Sequence, residues 1–407
     1  MRILVAPDSF KGSLSAAQVA QALGRGLTRA LPGAVVLACP VADGGEGTAE
    51  VLCLNTGGRM VRRRVAGPLG EPVDACFAVL GDGETAVVEI AAASGLPLVP
   101  PDRRDPMVTT SLGTGELIMA AIGEGCRRVM VALGGSATVD GGLGMLEALG
   151  FRHLDAAGQP VPRGGRGLAR VATARRPDGV AAQRPDEPGG PQPQGMPSSR
   201  PGSAVEFLAA CDVDNPLVGE HGAARVYGPQ KGATPGMVEE LDRGLAHLAG
   251  VWKRDWGVDV AGLAGAGAAG GAGAALAAAL GAPLLPGARL VIQYSGLEEL
   301  LPDADLVVTG EGRMDSQTRR GKAPATVAAA AGRAGVPVVA VCGSLAASPE
   351  QLAEMGIAAA LSIAEGPLSP EESMARAAEL LERTGERLGT LLRLGGTLAH
   401  RLTGPAR

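Results

Sequence analysis

Aromatic side chains are almost missing from this chain: four Phe, two Trp and two Tyr amount to 2% of its 407 residues. Proteins that hold single-stranded nucleic acid stack bases on such rings, and so sparse a set does not provide the platforms. An excess of positive charge is missing too. Lys and Arg number 37 against 42 Asp and Glu, a net charge of -5, so no basic field exists to grip a phosphate backbone or an anionic membrane. Nucleic acid and membrane are therefore not expected partners. The six Cys, at 39, 53, 76, 126, 211 and 342, form no C-x-x-C pair and mostly stand beside apolar residues. They read as small core hydrophobes in a reducing, cytoplasmic compartment, with neither a zinc site nor a disulfide framework. The apolar start Met1-Arg2-Ile3-Leu4-Val5-Ala6 stops at Pro7-Asp8, too early for a secretory signal.

Familiar catalytic patterns are absent as well. With four His, at 153, 221, 247 and 400, there is no H-E-x-x-H, and a Ser/His/Asp arrangement would have to draw on scattered residues. His221, in a Gly-rich polar loop, reads as a loop stabiliser. Gly321-Lys322-Ala323 lacks the upstream Gly and the hydroxyl of a P-loop, which rules out a P-loop ATPase. Gly265-Ala266-Gly267-Ala268-Ala269-Gly270 matches G-x-G-x-x-G, but no strand precedes it and no acid follows at about 20 positions to take a ribose hydroxyl.

What is present is an apolar fraction of 46% in a length that suggests two or three domains at roughly 150 residues each. Residues 2–6, 35–39, 128–133 and 206–211 read as strands and 305–309, 336–341 and 358–363 as buried-type strands, most of them alternating with helical stripes. Ser15 and Gln18 have capping-box spacing ahead of the stripe Val19, Leu23, Leu27 and Leu31. Residues 58–79 and 85–90 look like antiparallel pieces, so a parallel sheet gives way to a mixed one. Residues 260–288 carry no charge but are mostly Ala and Gly, and read as a loop feeding a short helix rather than a membrane span. Residues 175–204 are rich in Pro, Gly, Gln and Ser, and are expected to be a disordered surface insertion.

Seven loops, at residues 7–13, 42–48, 110–116, 134–142, 211–216, 228–232 and 309–316, share one chemistry of small residues, hydroxyls, an acid and often a Lys, each at the carboxyl end of an expected strand. Each alone reads as ordinary turn chemistry. Together, at the positions where open α/β sheets bind ligands, they suit phosphoryl transfer to a small hydroxyl compound. Gly lets backbone N–H groups approach an anion, carboxylates hold Mg2+ or accept a proton, and Lys or Arg neutralises the moving phosphoryl group.

Ala6-Pro7-Asp8-Ser9-Phe10-Lys11-Gly12-Ser13, Pro40-Val41-Ala42-Asp43-Gly44-Gly45-Glu46-Gly47-Thr48, Thr110-Ser111-Leu112-Gly113-Thr114-Gly115-Glu116, Cys211-Asp212-Val213-Asp214-Asn215-Pro216, Gly228-Pro229-Gln230-Lys231-Gly232 and Thr309-Gly310-Glu311-Gly312-Arg313-Met314-Asp315-Ser316 closely resemble the type 1 glycerate kinase family. The match runs in order from the first strand to about Ser344. The resemblance implies ATP-dependent phosphorylation of glycerate, usually at the 2-hydroxyl to give 2-phosphoglycerate, with Mg2+ and no other organic cofactor. It also implies an α/β fold in which a Rossmann-like domain, residues 1–67 plus 286–407, is interrupted by a mixed α/β domain, residues 68–285, with the site in the cleft between them. Two departures are visible: Val139 stands where the family's loop usually has Asn, and the Pro-rich stretch is longer.

On this reading Asp8 or Asp140 activates the substrate hydroxyl, while Lys11, Lys231 and Arg313 stabilise phosphoryl charge. Ser9, Asp43, Gly44, Gly45, Glu46, Ser111, Thr114, Gly134, Gly135, Ser136, Asn215 and Glu311 bind substrate or phosphate, and Asp212 and Asp315 hold Mg2+. A kinase for another small hydroxy or sugar acid, and a non-catalytic metabolite or nucleotide binder, are the alternatives. A monomer or homodimer is expected.

Overall fold

The structure, a computed structural model, describes residues 1–177, 205–316, 318 and 322–403. Residues 178–204, nearly all of the Pro-rich insertion, lie outside the described residues. The strands are β1 (Arg2–Pro7), β2 (Val35–Ala38), β3 (Arg59–Ala66), β4 (Pro72–Val79), β5 (Thr85–Glu89), β6 (Arg128–Ala132), β7 (Arg152–Leu154), β8 (Thr173–Arg175), β9 (Glu206–Ala210), β10 (Leu284–Leu285), β11 (Leu306–Met314), β12 (Val338–Leu345) and β13 (Ala359–Ser362). The chain divides into two compact units, Met1–Asp43 with Leu54–Thr56 and Ala288–Arg407, and Gly44–Cys53 with Gly57–Gly287.

The first unit is built on an all-parallel sheet in the order β13-β12-β11-β1-β2. Ile3, Leu4 and Val5 are fully buried, as a central parallel strand covered on both faces requires. β1 pairs with β11 from Ile3↔Leu306 to Pro7↔Gly310. From β1 the chain moves outward to β2, whereas from β11 it moves the opposite way to β12 and β13. The point between β1 and β11 is thus a topological switch, where strand ends diverge and leave a crevice.

The helix Ala16–Ala30 begins with the reciprocal Ser15–Gln18 capping box and buries Val19, Leu23 and Leu27. Each such side chain contributes about 1.5–3 kcal/mol of burial. A long helix, Ala377–Thr403, packs against the helix Ala16–Ala30, and its buried Leu380, Leu381 and Leu388 join the same core. It runs so close to the first helix that a Cβ on Gly26 would lie 2.0 Å from the Glu382 carbonyl oxygen. Arg25 and Arg29 then pair with the Glu382 carboxylate.

The second unit carries the mixed sheet β10-β9-β6-β5-β4-β3, parallel from β10 to β5 and antiparallel from there to β3. β3 pairs with β4 over its whole length, Arg59↔Val79 to Ala66↔Pro72, which carries residues 59–66 into this sheet, ahead of the residue-67 end read from the sequence. A separate β7–β8 pair lies outside it. The uncharged Ala/Gly stretch forms the helix Ala268–Leu280, buried in this unit's core, with Ala269, Gly270 and Gly271 at positive φ near its start. Among the described residues no helix is long and apolar enough to cross a membrane. Val139, the departure noted above, is a fully buried core residue of this unit.

Candidate active site

In the first unit a cavity of about 780 Å³ opens where β1 and β11 end. Its charged lining is Asp8, Lys11, Asp43, Glu311, Arg313 and Lys322, and Ser9 also faces it. Leu345, at the end of β12, and Ile363, Leu368 and Met374, beyond β13, supply apolar wall. Asp8 follows Pro7 directly, and its N–H donates to the Gly310 carbonyl at 2.8 Å, so the strand ladder itself fixes the carboxylate at the switch point. The residue is 5% exposed, and its Oδ1 accepts from the Ser9 N–H at 2.6 Å. Burial and then the neighbouring Asp43 carboxylate push the Asp8 carboxyl up to about 7, against the pull of the Ser9 N–H and Lys11.

Three ion pairs surround this acid. Lys11 Nζ lies 2.7 Å from Asp43 Oδ2, and although burial disfavours its charge, Asp43 keeps the ammonium's pKa raised. Arg313 pairs with Asp315 at 3.2 Å, and Lys322 with Glu311 at 3.5 Å. Glu311 is nearly buried, which raises its pKa, and its Oε1 accepts from the Thr318 hydroxyl at 2.6 Å. Asp8, Ser9, Lys11, Asp43, Glu311 and Arg313 are thus brought to one cavity, and Asp315 reaches it through Arg313. Lys322 and Thr318 are additions that sequence reading missed. Lys322 belonged to the rejected P-loop match, and a signal was available in its position just ahead of the helix Ala323–Arg333.

The second unit gathers another set of loops at the ends of β6 and β9. A Cβ on Gly134 would lie 2.8 Å from the Gly45 Cα, so these two loops touch backbone to backbone. Gly44 has φ +90, and a Cβ there would lie 2.5 Å from Gly287 Cα and 3.3 Å from Asp212 Oδ2. Asp212 Oδ1 in turn accepts from the Gly287 N–H at 2.8 Å. Gly44, Gly45, Gly134 and Asp212 are therefore close neighbours, with Gly135 and Ser136 following in the same loop and Glu46 exposed. Glu89, not singled out in the sequence, is half-buried, desolvation raises its pKa, and it accepts from the Ala49 N–H at 2.8 Å.

Deeper in this unit the remaining candidates are committed to one another. Asp140 is fully buried and accepts from Ser111 N–H and Ser111 Oγ, both at 2.8 Å, and from the N–H groups of Gly142 and Gly144 at 3.1 and 3.3 Å. Burial raises its pKa and the four donors lower it. Ser111 Oγ also accepts from the Met145 N–H, and Thr114 shares a buried hydrogen bond of 2.8 Å with Ser94. Lys231 donates to Ser136 Oγ and the Thr138 carbonyl, both at 2.8 Å. Burial pushes its ammonium down to about 7, while Asp140 pulls the other way. Asn215 donates to the His221 carbonyl and accepts from the Tyr227 hydroxyl. Asp140, Ser111, Thr114 and Asn215 hold loops in place with their polar atoms already engaged.

Comparison with known proteins points one way. A family model described as the glycerate kinase family matches residues 3–393. A glycerate kinase of Bacillus subtilis (strain 168) is 45% identical over 398 residues, 98% of this chain and 99% of that protein. A glycerate 2-kinase of Escherichia coli (strain K12) is 43% identical over 395 residues, 97% and 99% of the two chains. A crystal structure assigned as a glycerate kinase 2 from Salmonella typhimurium LT2 superposes with a TM-score of 0.82 at 43% identity, covering 98% of this chain and 99% of that one.

Proposed function

The chain belongs to the glycerate kinase family, and on that premise we propose that it transfers the γ-phosphoryl group of ATP to the 2-hydroxyl of glycerate, giving 2-phosphoglycerate and ADP. Phosphorylation of glycerate follows from the family; the phosphoryl donor and the 2-position are what we propose beyond it. The observation that carries it is Asp8, a buried carboxyl with a pKa of about 7 at the switch point of a parallel sheet, ringed by Lys11, Arg313 and Lys322. A general base works best when its pKa lies near the working pH.

In this reading Asp8 takes the hydroxyl proton as the substrate oxygen bonds to the γ-phosphorus, and the bond from that phosphorus to the β,γ-bridging oxygen breaks with its electron pair leaving on ADP. Lys11 and Arg313 balance the charge that spreads over the phosphoryl oxygens. The apolar wall near Ile363 and Leu368 suits the base and the charged end the phosphates. Mg2+ takes one or two carboxylates and completes its shell with water and phosphate. Asp315 is the carboxylate proposed to hold it; Asp212, the second candidate, already accepts from Gly287. Bound there, Mg2+ would neutralise phosphate charge.

The test is an ATP-coupled assay over a panel of small hydroxy acids, with the product's phosphorylated position read by phosphorus NMR. Glycerate turned over fastest, with the signal at the 2-position, is the expected result. A 3-phosphorylated product would overturn the regiochemistry, and faster turnover of another acid would move the enzyme to that substrate.

A further inference from the structure

Of the three cations that line the first unit's cavity among the described residues, two are closely held. Lys11 sits 2.7 Å from Asp43 and Arg313 3.2 Å from Asp315, whereas Lys322 is 3.5 Å from Glu311, its ammonium's one partner among the described residues. Glu311 is the fixed member of that last pair, since its side chain is 9% exposed and its other oxygen accepts from the buried Thr318 hydroxyl at 2.6 Å. Lys322, with 37% of its side chain exposed, is a compact charge on a flexible stem with two further protons to donate. It is also the residue that opens the helix Ala323–Arg333, which has no acid in its first turn and no side chain capping its start. Excess positive potential from the helix end therefore adds to the ammonium at the cavity wall.

We propose that Lys322 contacts the polyphosphate of a bound nucleoside triphosphate, with Glu311 and Thr318 as positioning residues that hold it at the cavity until the nucleotide arrives. The proposal rests on the kinase reading above and adds a residue to it. An ammonium meets a phosphate as a point charge, so exchanging a 3.5 Å contact with Glu311 for phosphate oxygens gains a charge-assisted hydrogen bond. Thr318 keeps Glu311 bonded when Lys322 leaves it. The Gly321-Lys322-Ala323 match fails as a P-loop by spacing, yet its Lys reaches a charged cavity by another route, the end of β11 and the start of the next helix.

The experiment is equilibrium binding of a non-hydrolysable ATP analogue to the full-length enzyme and its variants, alongside steady-state kinetics. Lys322→Met should weaken analogue binding about tenfold to a hundredfold. KM for ATP should rise in step, and KM for glycerate should stay within about twofold. Lys322→Arg should recover part of the loss, and Thr318→Val should show a smaller effect of the same kind, about threefold. Unchanged analogue affinity in Lys322→Met overturns the proposal. A rise in the glycerate KM with the ATP KM unchanged also overturns it, because Lys322 would then serve the acceptor. If Lys322→Met does not fold, Lys322→Gln is judged by the same two readouts. Failure of the wild-type enzyme to bind the analogue at millimolar concentration would instead sink the kinase reading, so the two failures are distinct.

Discussion

Asp8 and Asp140 occupy loops of the same makeup, rich in Gly and Ser, each after a buried parallel strand, yet their surroundings are opposite. Among the described residues Asp8 has one hydrogen-bond donor, the Ser9 N–H, and it faces a cavity. Asp140 has four donors and no exposure. A carboxylate with spare lone pairs in a crevice has chemistry left to do, whereas one whose lone pairs are filled organises backbone. The same contrast separates the lysines. Lys322 leans on one acid at a cavity wall, and Lys231 is buried with two oxygens on its ammonium. Loop composition locates charge in this protein, and the degree of saturation separates chemistry from scaffolding.

The largest effect should come from Asp8→Asn. It keeps the shape and removes the base, so turnover should fall by about a hundredfold to ten-thousandfold. The unfolding midpoint should stay near the wild type, because the buried Asp8 charge is itself costly. Steady-state assays with denaturation of the same sample read both. Near-native turnover would break the contrast at its catalytic end.

Asp140→Asn should do the reverse. An amide offers one acceptor oxygen where four donors now converge, so some of the N–H groups of Ser111, Gly142 and Gly144 lose their partner. The buried Lys231 also loses a nearby negative charge. A loss of about 2–4 kcal/mol in a urea titration is expected. At a temperature where the variant is folded, turnover should fall far less than in Asp8→Asn. A stable variant with a thousandfold loss of turnover would make Asp140 the base.

The two sites should also tilt stability in opposite directions with pH. Asp8 holds its proton to about 7 in the folded protein and to 3.8 when unfolded, so its contribution is full below pH 3.8 and is lost as pH rises to about 7. Lys231 gives up its proton at about 7 when folded and at 10.5 when unfolded, so its contribution is full above 10.5 and is lost as pH falls to about 7. Urea midpoints measured across pH without nucleotide or Mg2+ should show Asp8→Asn flattening the limb below pH 7 and Lys231→Met the limb above it. Identical pH profiles for wild type and variants would mean that neither group is perturbed as the geometry requires.

The parts legible in the sequence were those set by local pattern. Residues 2–6, 128–133 and 305–309 announced buried strands by unbroken aliphatic runs, and Ser15 with Gln18 announced a helix start that is present as a reciprocal cap. The acids after β1 and β11 were legible because parallel strands put their carboxyl ends on one rim. Burial across long sequence separations was not legible. Nothing local distinguishes Ser9, at a cavity, from Ser111, whose hydroxyl is spent on Asp140 twenty-nine residues away. Lys322 fits no fixed-spacing motif, and its place at the cavity arises from the pairing of β1 with β11.

The smallest predicted effect tests the scaffolding end at a residue that sequence reading placed among the ligand contacts. Thr114 is fully buried and its hydroxyl shares a 2.8 Å hydrogen bond with Ser94, which is itself fully buried. Thr114→Val keeps the branched shape and deletes the hydroxyl, leaving Ser94 Oγ without this partner. A neutral hydrogen bond of this kind is worth about 1 kcal/mol, with a further cost for the hydroxyl left unpaired, so a loss of about 1–2 kcal/mol is expected. KM for glycerate and for ATP should both remain within about twofold, since an atom sealed inside the second unit and already bonded has no ligand to lose. A selective rise of tenfold or more in the glycerate KM would show that Thr114 opens to substrate, and saturation in the resting fold would then no longer separate scaffold from chemistry.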